Sequence, residues 1–211
     1  MLRWSQEDAS LEALLAYLRD GKLLILPTET VYGIAAPIAN AKAIETLYAI
    51  KGRPSSKALP VLVPDASSAR ALTRHWPEQA QALAERYWPG PLTMVLPAAA
   101  QLPRQVTAGK DSVGLRVPAQ AFTLSLLRAW GAGLATPSAN PSDLAPASTV
   151  EQCQRYWPQE EAIAVAVDAG PTLLQVPSTV LEWVEGRWHL RREGVITRAE
   201  LSALLASDLS S

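Results

Sequence analysis

The stretch Leu23-Leu-Ile-Leu-Pro-Thr-Glu-Thr-Val-Tyr-Gly33 decides how the rest of the chain is read. Four aliphatic residues closed by Pro27 are the pattern of a strand buried on both faces, which has no water-facing side to alternate toward. The polar run that follows, with Thr28, Thr30 and Gly33, is then a loop at the end of a buried strand, where open sheets present ligands. Upstream, Leu11, Leu14, Leu15 and Leu18 fall at i, i+3, i+4 and i+7, and Gly21 stands where a helix C-terminus takes a left-handed residue. Downstream, Asn40 is the expected cap of a helix through Ile44 and Leu47 to Ile50, with Lys51 and Arg53 at its exit and outside the core.

Further outward, apolar runs predict strands over 59–63, 92–96, 113–117, 134–136, 162–167 and 179–184. Glu185-Gly186 predicts a hairpin into a strand over 188–190. Helices are expected near 67–73, 78–87 and 119–130, from a Ser148/Glu151 capping box onward, and from Thr197 and Glu200 through Leu205. The tail after Ala206 is expected to fray. Strands and helices interleave without strict βαβ alternation. The expected fold class is therefore α/β of mixed character: a twisted, open, mixed sheet with flanking helices in one domain.

With 211 residues, 48% of them apolar and 18% charged, the chain can bury the core of one domain and does not have the composition of a disordered or fibrous protein. The net charge of −1 argues against a general nucleic-acid coat. That near-zero total conceals a split: residues 22–128 carry +6, the first 21 carry −2 and residues 129–211 carry −5. Glu7, Asp8 and Glu12 interrupt any secretory leader, and prolines interrupt the uncharged stretch 87–103, so neither a leader nor a membrane span is expected. A single cysteine, Cys153, forms no internal disulfide, and a reducing cytoplasmic setting is the default. Cys153 falls on an amphipathic helix and is expected to be structural, as are the only histidines, His75 and His189, which form no metal-ligand spacing.

The common nucleotide signatures are missing: there is no Gly-x-x-x-x-Gly-Lys-Ser/Thr loop and no Gly-x-Gly-x-x-Gly. What remains is a series of cations and hydroxyls at strand ends and loops, a set able to hold a polyanion without a phosphate loop. It includes Thr28, Thr30, Lys51, Arg53, Lys57, Ser112, Arg116, Thr136, Ser138, Asn140, Ser142, Ser178, Thr179 and Arg192.

The order of the blocks Pro27-Thr-Glu-Thr-Val-Tyr-Gly33, Lys51-Gly-Arg53-Pro54, Trp88-Pro-Gly-Pro-Leu-Thr93, Gly114-Leu-Arg116-Val-Pro118, Ser138-Ala-Asn140 and Ser178-Thr-Val180 resembles the YrdC/TsaC family, the L-threonylcarbamoyladenylate synthases. The likeness runs from about residue 7 to 205. It implies a YrdC-like domain over 1–206 with a short polar tail, 207–211. Members of that family carboxylate the amine of L-threonine with bicarbonate or carbon dioxide. The carbamate then attacks the α-phosphate of ATP, giving threonylcarbamoyl-AMP and pyrophosphate. Partner proteins use the adenylate to make N6-threonylcarbamoyladenosine on tRNA.

By the same resemblance, Lys51, Arg53, Ser138 and Asn140 are the catalytic set. Lys51, Arg53, Lys57, Ser112, Thr136, Ser138 and Arg192 contact ATP, and Thr30, Arg116 and Ser178 take the threonine. Magnesium is expected to be bound by phosphate and water, with no protein ligand. Two positions depart from the family pattern: Leu62 stands where longer relatives carry a threonine-contacting His, and Asp143 replaces a glycine, placing negative charge near the nucleotide end while tolerating left-handed geometry. The extra C-terminal domain of two-domain relatives is not expected. The competing readings are a non-catalytic member that binds tRNA or duplex RNA by shape and phosphate contact, and a paralogue of different activity.

Overall fold

The computed structural model describes residues 1–205, 209 and 210. In chain order its elements are β1 (Leu2–Ser5), α1 (Leu11–Arg19), β2 (Leu23–Leu26), β3 (Gly33–Pro37), α2 (Ala41–Lys51), β4 (Val61–Leu62), α3 (Ala66–Ala71), α4 (Glu78–Tyr87), β5 (Leu92–Pro97) and α5 (Arg104–Thr107). There follow β6 (Ser112–Arg116), α6 (Ala121–Trp130), β7 (Leu134–Ala135), α7 (Val150–Tyr156), β8 (Ile163–Asp168), β9 (Thr179–Val184), β10 (Arg187–Arg192), α8 (Arg198–Leu205) and β11 (Leu209–Ser210). The strands form one mixed sheet in the order β1-β8-β2-β3-β7-β4-β6-β5-β9-β10-β11. The expected fold class is borne out.

Strand β2 is buried along its whole length, and its period of two divides its side chains between two cores. Leu24 and Leu26 pack with Leu14 and Leu18 of α1 and with Leu126 and Leu127 of α6. Leu23 and Ile25 pack on the opposite side with Ile44 and Leu47 of α2 and Cys153 of α7. Toward the other end, Leu92, Met94 and Leu96 of β5, Leu181 of β9 and Trp188 of β10 form a third cluster under α4 and α8. The alternate residues of these strands, Thr93, Val95, Val180 and Glu182, together with Ser112, Gly114 and Arg116 of β6, lie on the other face and line a cleft. Half the sheet is covered on both sides, and the remainder keeps one face open.

Several elements differ from expectation. β1, at the sheet edge, alternates apolar and polar over only four residues, too few to announce a strand, and is held by parallel pairing with β8. β3, Gly-Ile-Ala-Ala-Pro, has only Ile34 as a good strand former and becomes a strand because it returns antiparallel along buried β2. The short α5 carries no amphipathic signal. Helix α6 starts at Ala121, not at 119, because the Gln120 side chain accepts the Thr123 amide at 2.8 Å. The capping box lies one residue beyond Ser148: Thr149 Oγ1 accepts the Gln152 amide, and Gln152 Oε1 accepts the amide of Ser148. In the tail, Leu209 and Ser210 run parallel to Trp188 and His189, while the fraying expected at 207, 208 and 211 falls outside the described residues.

Gly33 shows how tightly the sheet approaches the loops around the cleft. It bridges Ser138, and a Cβ there would stand 2.5 Å from Thr136 Cγ2. Gly33→Ala is expected to cost about 1–3 kcal/mol of stability in urea unfolding; an unchanged midpoint would show that the Thr136 side chain yields.

Candidate functional site

The cleft encloses about 480 Å³, and every residue that the resemblance assigns to catalysis, ATP or threonine lines it except Lys51 and Asn140, while Ser142 and Thr179 of the wider polar set also lie outside the lining. The most buried cation of its lining is Arg116, at the end of β6 and 7% exposed. Nε of Arg116 donates to Gly90 O at 3.0 Å, Nη1 to Thr30 Oγ1 at 2.9 Å and Nη2 to Glu29 Oε1 at 2.7 Å. The second oxygen of Glu29 accepts the Ala119 amide. Thr28 Oγ1 accepts the amides of Thr30 and Val31 and donates to Val31 O, fixing the loop after β2 as a side-chain turn.

Arg192 reaches the same region from the end of β10. Its Nε donates to Ser178 O at 2.9 Å and its Nη2 to Ser178 Oγ at 3.2 Å, while Ser178 Oγ shares a hydrogen bond with Thr93 Oγ1. Burial lowers the pKa of Arg192, and the positive charge of Arg116 lowers it further. Two guanidiniums held this close create a region of positive potential suited to a carboxylate or phosphate.

A second cationic group comes from the exit of α2. Gly52 takes the left-handed conformation that ends the helix (φ 55°), and the chain turns Arg53 toward the cleft. Arg53 is splinted by its own loop, with Nε donating to Lys57 O at 3.1 Å and Nη2 to Ala58 O at 2.7 Å. Lys57 and Lys110 add exposed ammonium groups to the lining. Asp143, with φ 71°, approaches Lys57 to 3.9 Å, so the expected left-handed geometry and negative charge are both found. Leu62, 4% exposed, gives the wall an apolar position.

Lys51 corrects an expectation. It is 2% exposed and belongs to the interior, not to the exposed exit of the helix. Its Nζ donates to Ser138 O at 2.6 Å and also to Asn140 O, and its own carbonyl accepts the Ser142 amide. Asn140 Nδ2 is tied to the Pro141 and Leu144 carbonyls. Lys51 and Asn140 therefore lie behind the wall and shape the turn that presents Ser138 to the cleft. Burial, reinforced by the charge of Arg53, pulls the Lys51 ammonium down to about 7.

Sequence reasoning passed over Glu29, Thr93, Lys110 and Glu182 as site residues. Glu29 and Thr93 sit inside the quoted blocks, and Glu182 is two residues beyond another. Glu182 lines the cleft with its carboxylate held by Arg191 Nε at 2.5 Å. Cys153 is buried, with its thiol pushed up to about 12, which fits the structural role expected of it. Among the described residues no group of three or more His, Cys, Asp or Glu could hold a metal ion, and no helix is long and apolar enough to cross a membrane.

Comparison with known proteins agrees with the six sequence blocks. The chain is 38% identical over 202 residues to the threonylcarbamoyl-AMP synthase of Bacillus subtilis, covering 95% of this chain and 58% of that protein. It is 32% identical over 172 residues to the synthase of Thiobacillus denitrificans, covering 82% of this chain and 90% of that one. The crystal structure of Pyrococcus abyssi Sua5 complexed with L-threonine superposes with a TM-score of 0.90 at 31% identity, over 99% of this chain and 61% of that one. The chain thus spans less than two thirds of the length of the B. subtilis and P. abyssi relatives. Residues 16–194 match the Sua5/YciO/YrdC family model, described as "Telomere recombination", and with so much of the chain matched it belongs to that family.

Proposed function

We propose that the cleft binds ATP and L-threonine together and makes L-threonylcarbamoyl-AMP. The observation that carries this reading is the set of fixed cations, Arg116 beside Arg192 and Arg53 beside Lys57, interleaved with the hydroxyls of Thr30, Ser112, Thr136, Ser138 and Ser178 on the one open face of the sheet. Relatives named threonylcarbamoyl-AMP synthase, and the Sua5 fold complexed with L-threonine, support it.

In this scheme Arg116, Thr30 and Ser178 receive the threonine, its carboxylate facing the guanidinium. The threonine nitrogen adds to carbon dioxide derived from bicarbonate and loses a proton, giving a carbamate. A carbamate oxygen then attacks the α-phosphorus of ATP, the bond to the bridging oxygen breaks, and pyrophosphate leaves. Both partners are anionic, so neutralisation and alignment supply most of the rate enhancement. Arg53, Lys57 and Arg192 take the phosphate charge, while Ser112 and Ser138 donate hydrogen bonds and Thr136, whose hydroxyl donates to Leu134 O, contacts the nucleotide beside them. Lys51 and Asn140 act from behind, holding the Ser138 turn. Magnesium arrives on the triphosphate, held by phosphate oxygens and water. The product passes to partner proteins that modify tRNA, and the work takes place in the cytoplasm.

Pyrophosphate release is expected to require L-threonine and bicarbonate in addition to ATP. Release indifferent to threonine would contradict the reading and favour a paralogue of different activity, and no release at all would favour the non-catalytic RNA-binding alternative. Arg53→Ala should lower kcat/KM by about a hundredfold with little change in melting temperature, because its hydrogen bonds stay within one loop. Lys51→Met should behave differently, through stability. Lys51 titrates near 7 in the folded protein and at its ordinary 10.5 when unfolded. Between those values the unfolded chain holds more protons, so wild-type stability should rise relative to Lys51→Met by up to about 1.4 kcal/mol per pH unit as pH increases from 7. A pH-independent difference in urea titrations would show that the ammonium is not desolvated.

A further inference from the structure

Thr179 is fully buried and is assigned no contact with substrate, yet its hydroxyl uses all of its hydrogen-bonding capacity. Oγ1 donates to Ile196 O at 2.8 Å and accepts from Gly194 N and Ile196 N, both at 3.0 Å. These bonds dock the segment that follows β10 onto the beginning of β9. The docking is flat: a Cβ on Gly194 would lie 2.3 Å from Pro177 O and 2.7 Å from Thr179 N. Only a residue without a side chain can rest on that backbone.

The docked segment begins at Arg192. Between Leu190 and Arg192 the β9–β10 register shifts, so that Leu190 faces Leu181 while Arg192, not Arg191, faces Val180. The bulge turns Arg192 to the cleft side and leaves Arg191 to pair with Glu182. A bulge alone fixes direction poorly, since the extra residue loosens the ladder. In this chain it is closed on its far side by the Thr179 hydroxyl and on its near side by the two Arg192 bonds to Ser178.

We propose that Thr179 is a positioning residue: its hydroxyl fixes the segment 192–196 so that Arg192 is delivered onto Ser178 and into the nucleotide's charge, setting the affinity for ATP. The inference rests on the reading above that Arg192 meets the nucleotide. Thr179 touches no ligand itself. Thr179→Val keeps the shape of the side chain but leaves two buried N–H groups and one carbonyl without a partner, so the segment must shift to solvate them.

The test is a double-mutant cycle on the full chain, with ATP and magnesium binding measured by calorimetry for wild type, T179V, T179S, R192A and T179V/R192A. T179V and R192A should each weaken ATP binding about ten- to a hundredfold. The double variant should bind no more than about threefold more weakly than R192A alone, since both changes remove the same contact. T179S, which keeps the hydroxyl, should restore binding. Should T179V not fold, T179A, which leaves room for a water in place of the hydroxyl, is put through the same cycle. Wild-type affinity in the Thr179 variant, losses that multiply in the double variant, or a T179S as weak as T179V would each overturn the inference. Absence of ATP binding by the wild-type protein would overturn the proposed function together with it, which separates the two failures.

Discussion

The guanidinium of Arg116 is enclosed by the loop after β2, the turn before β5 and its own strand, and it is the group on which the arrangement of the cleft depends. A buried cation must be paired and hydrogen-bonded, or the fold carries a desolvation penalty of several kcal/mol. Here one carboxylate oxygen of Glu29, the hydroxyl of Thr30 and the carbonyl of Gly90 answer three of its donors. Since Glu29 also accepts the Ala119 amide, a single ion pair joins the 27–33 loop, the end of β6 and the start of the segment leading to α6. Removing Glu29 would strand a charge; replacing Arg116 would strand a carboxylate. The pair thus adds rigidity and specificity of arrangement, whatever its net contribution to stability.

Three other cations are held in a similarly economical manner, chiefly by the backbone of a neighbouring loop. Arg53 donates to residues 57 and 58, Arg192 to residue 178 and Lys51 to residues 138 and 140. Carbonyls orient a cation but do not cancel its charge. Repulsion therefore persists between Lys51 and Arg53 and between Arg116 and Arg192: the charge of Arg53 lowers the affinity of Lys51 for its proton, and that of Arg116 lowers the affinity of Arg192. An anionic ligand relieves that repulsion without requiring the cations to move, which is electrostatic preorganisation in the sense that matters for phosphoryl and nucleotidyl transfer.

Much of this was legible in the sequence, and the divisions are physical. Leu23–Leu26 announces a doubly buried strand because all four residues are aliphatic, and the polar residues after Pro27 have no place in a core. β3 was illegible, since Gly33, Ala35, Ala36 and Pro37 have no strand propensity of their own and depend on pairing with β2. Lys51 was misplaced because charge at a helix exit is usually solvated; only the 138–142 turn folding back over it makes it interior. Glu29 was passed over for the converse reason. In a linear reading it counts as one more acidic loop residue, and its partner Arg116 stands 87 positions away. Pairings at that separation are created by topology, and composition or periodicity carries no trace of them.

The cleft's volume, by contrast, is written locally once the topology is known. Along β5, β6 and β9 the large apolar residues, Leu92, Met94, Leu96, Val113, Leu115 and Leu181, all fall on the covered face. The opposite positions are held by Thr93, Val95, Ser112, Gly114 and Val180, which are smaller. A third layer of helices over that face would have needed large side chains on both sides of these strands, as β2 has. Their absence from alternate positions leaves a floor that is shallow, partly polar and rimmed by loops, two of which bring Arg53, Lys57 and Lys110 to the lining. The same period of two that builds the core on one side therefore specifies the binding site on the other, through side chains too small to fill it.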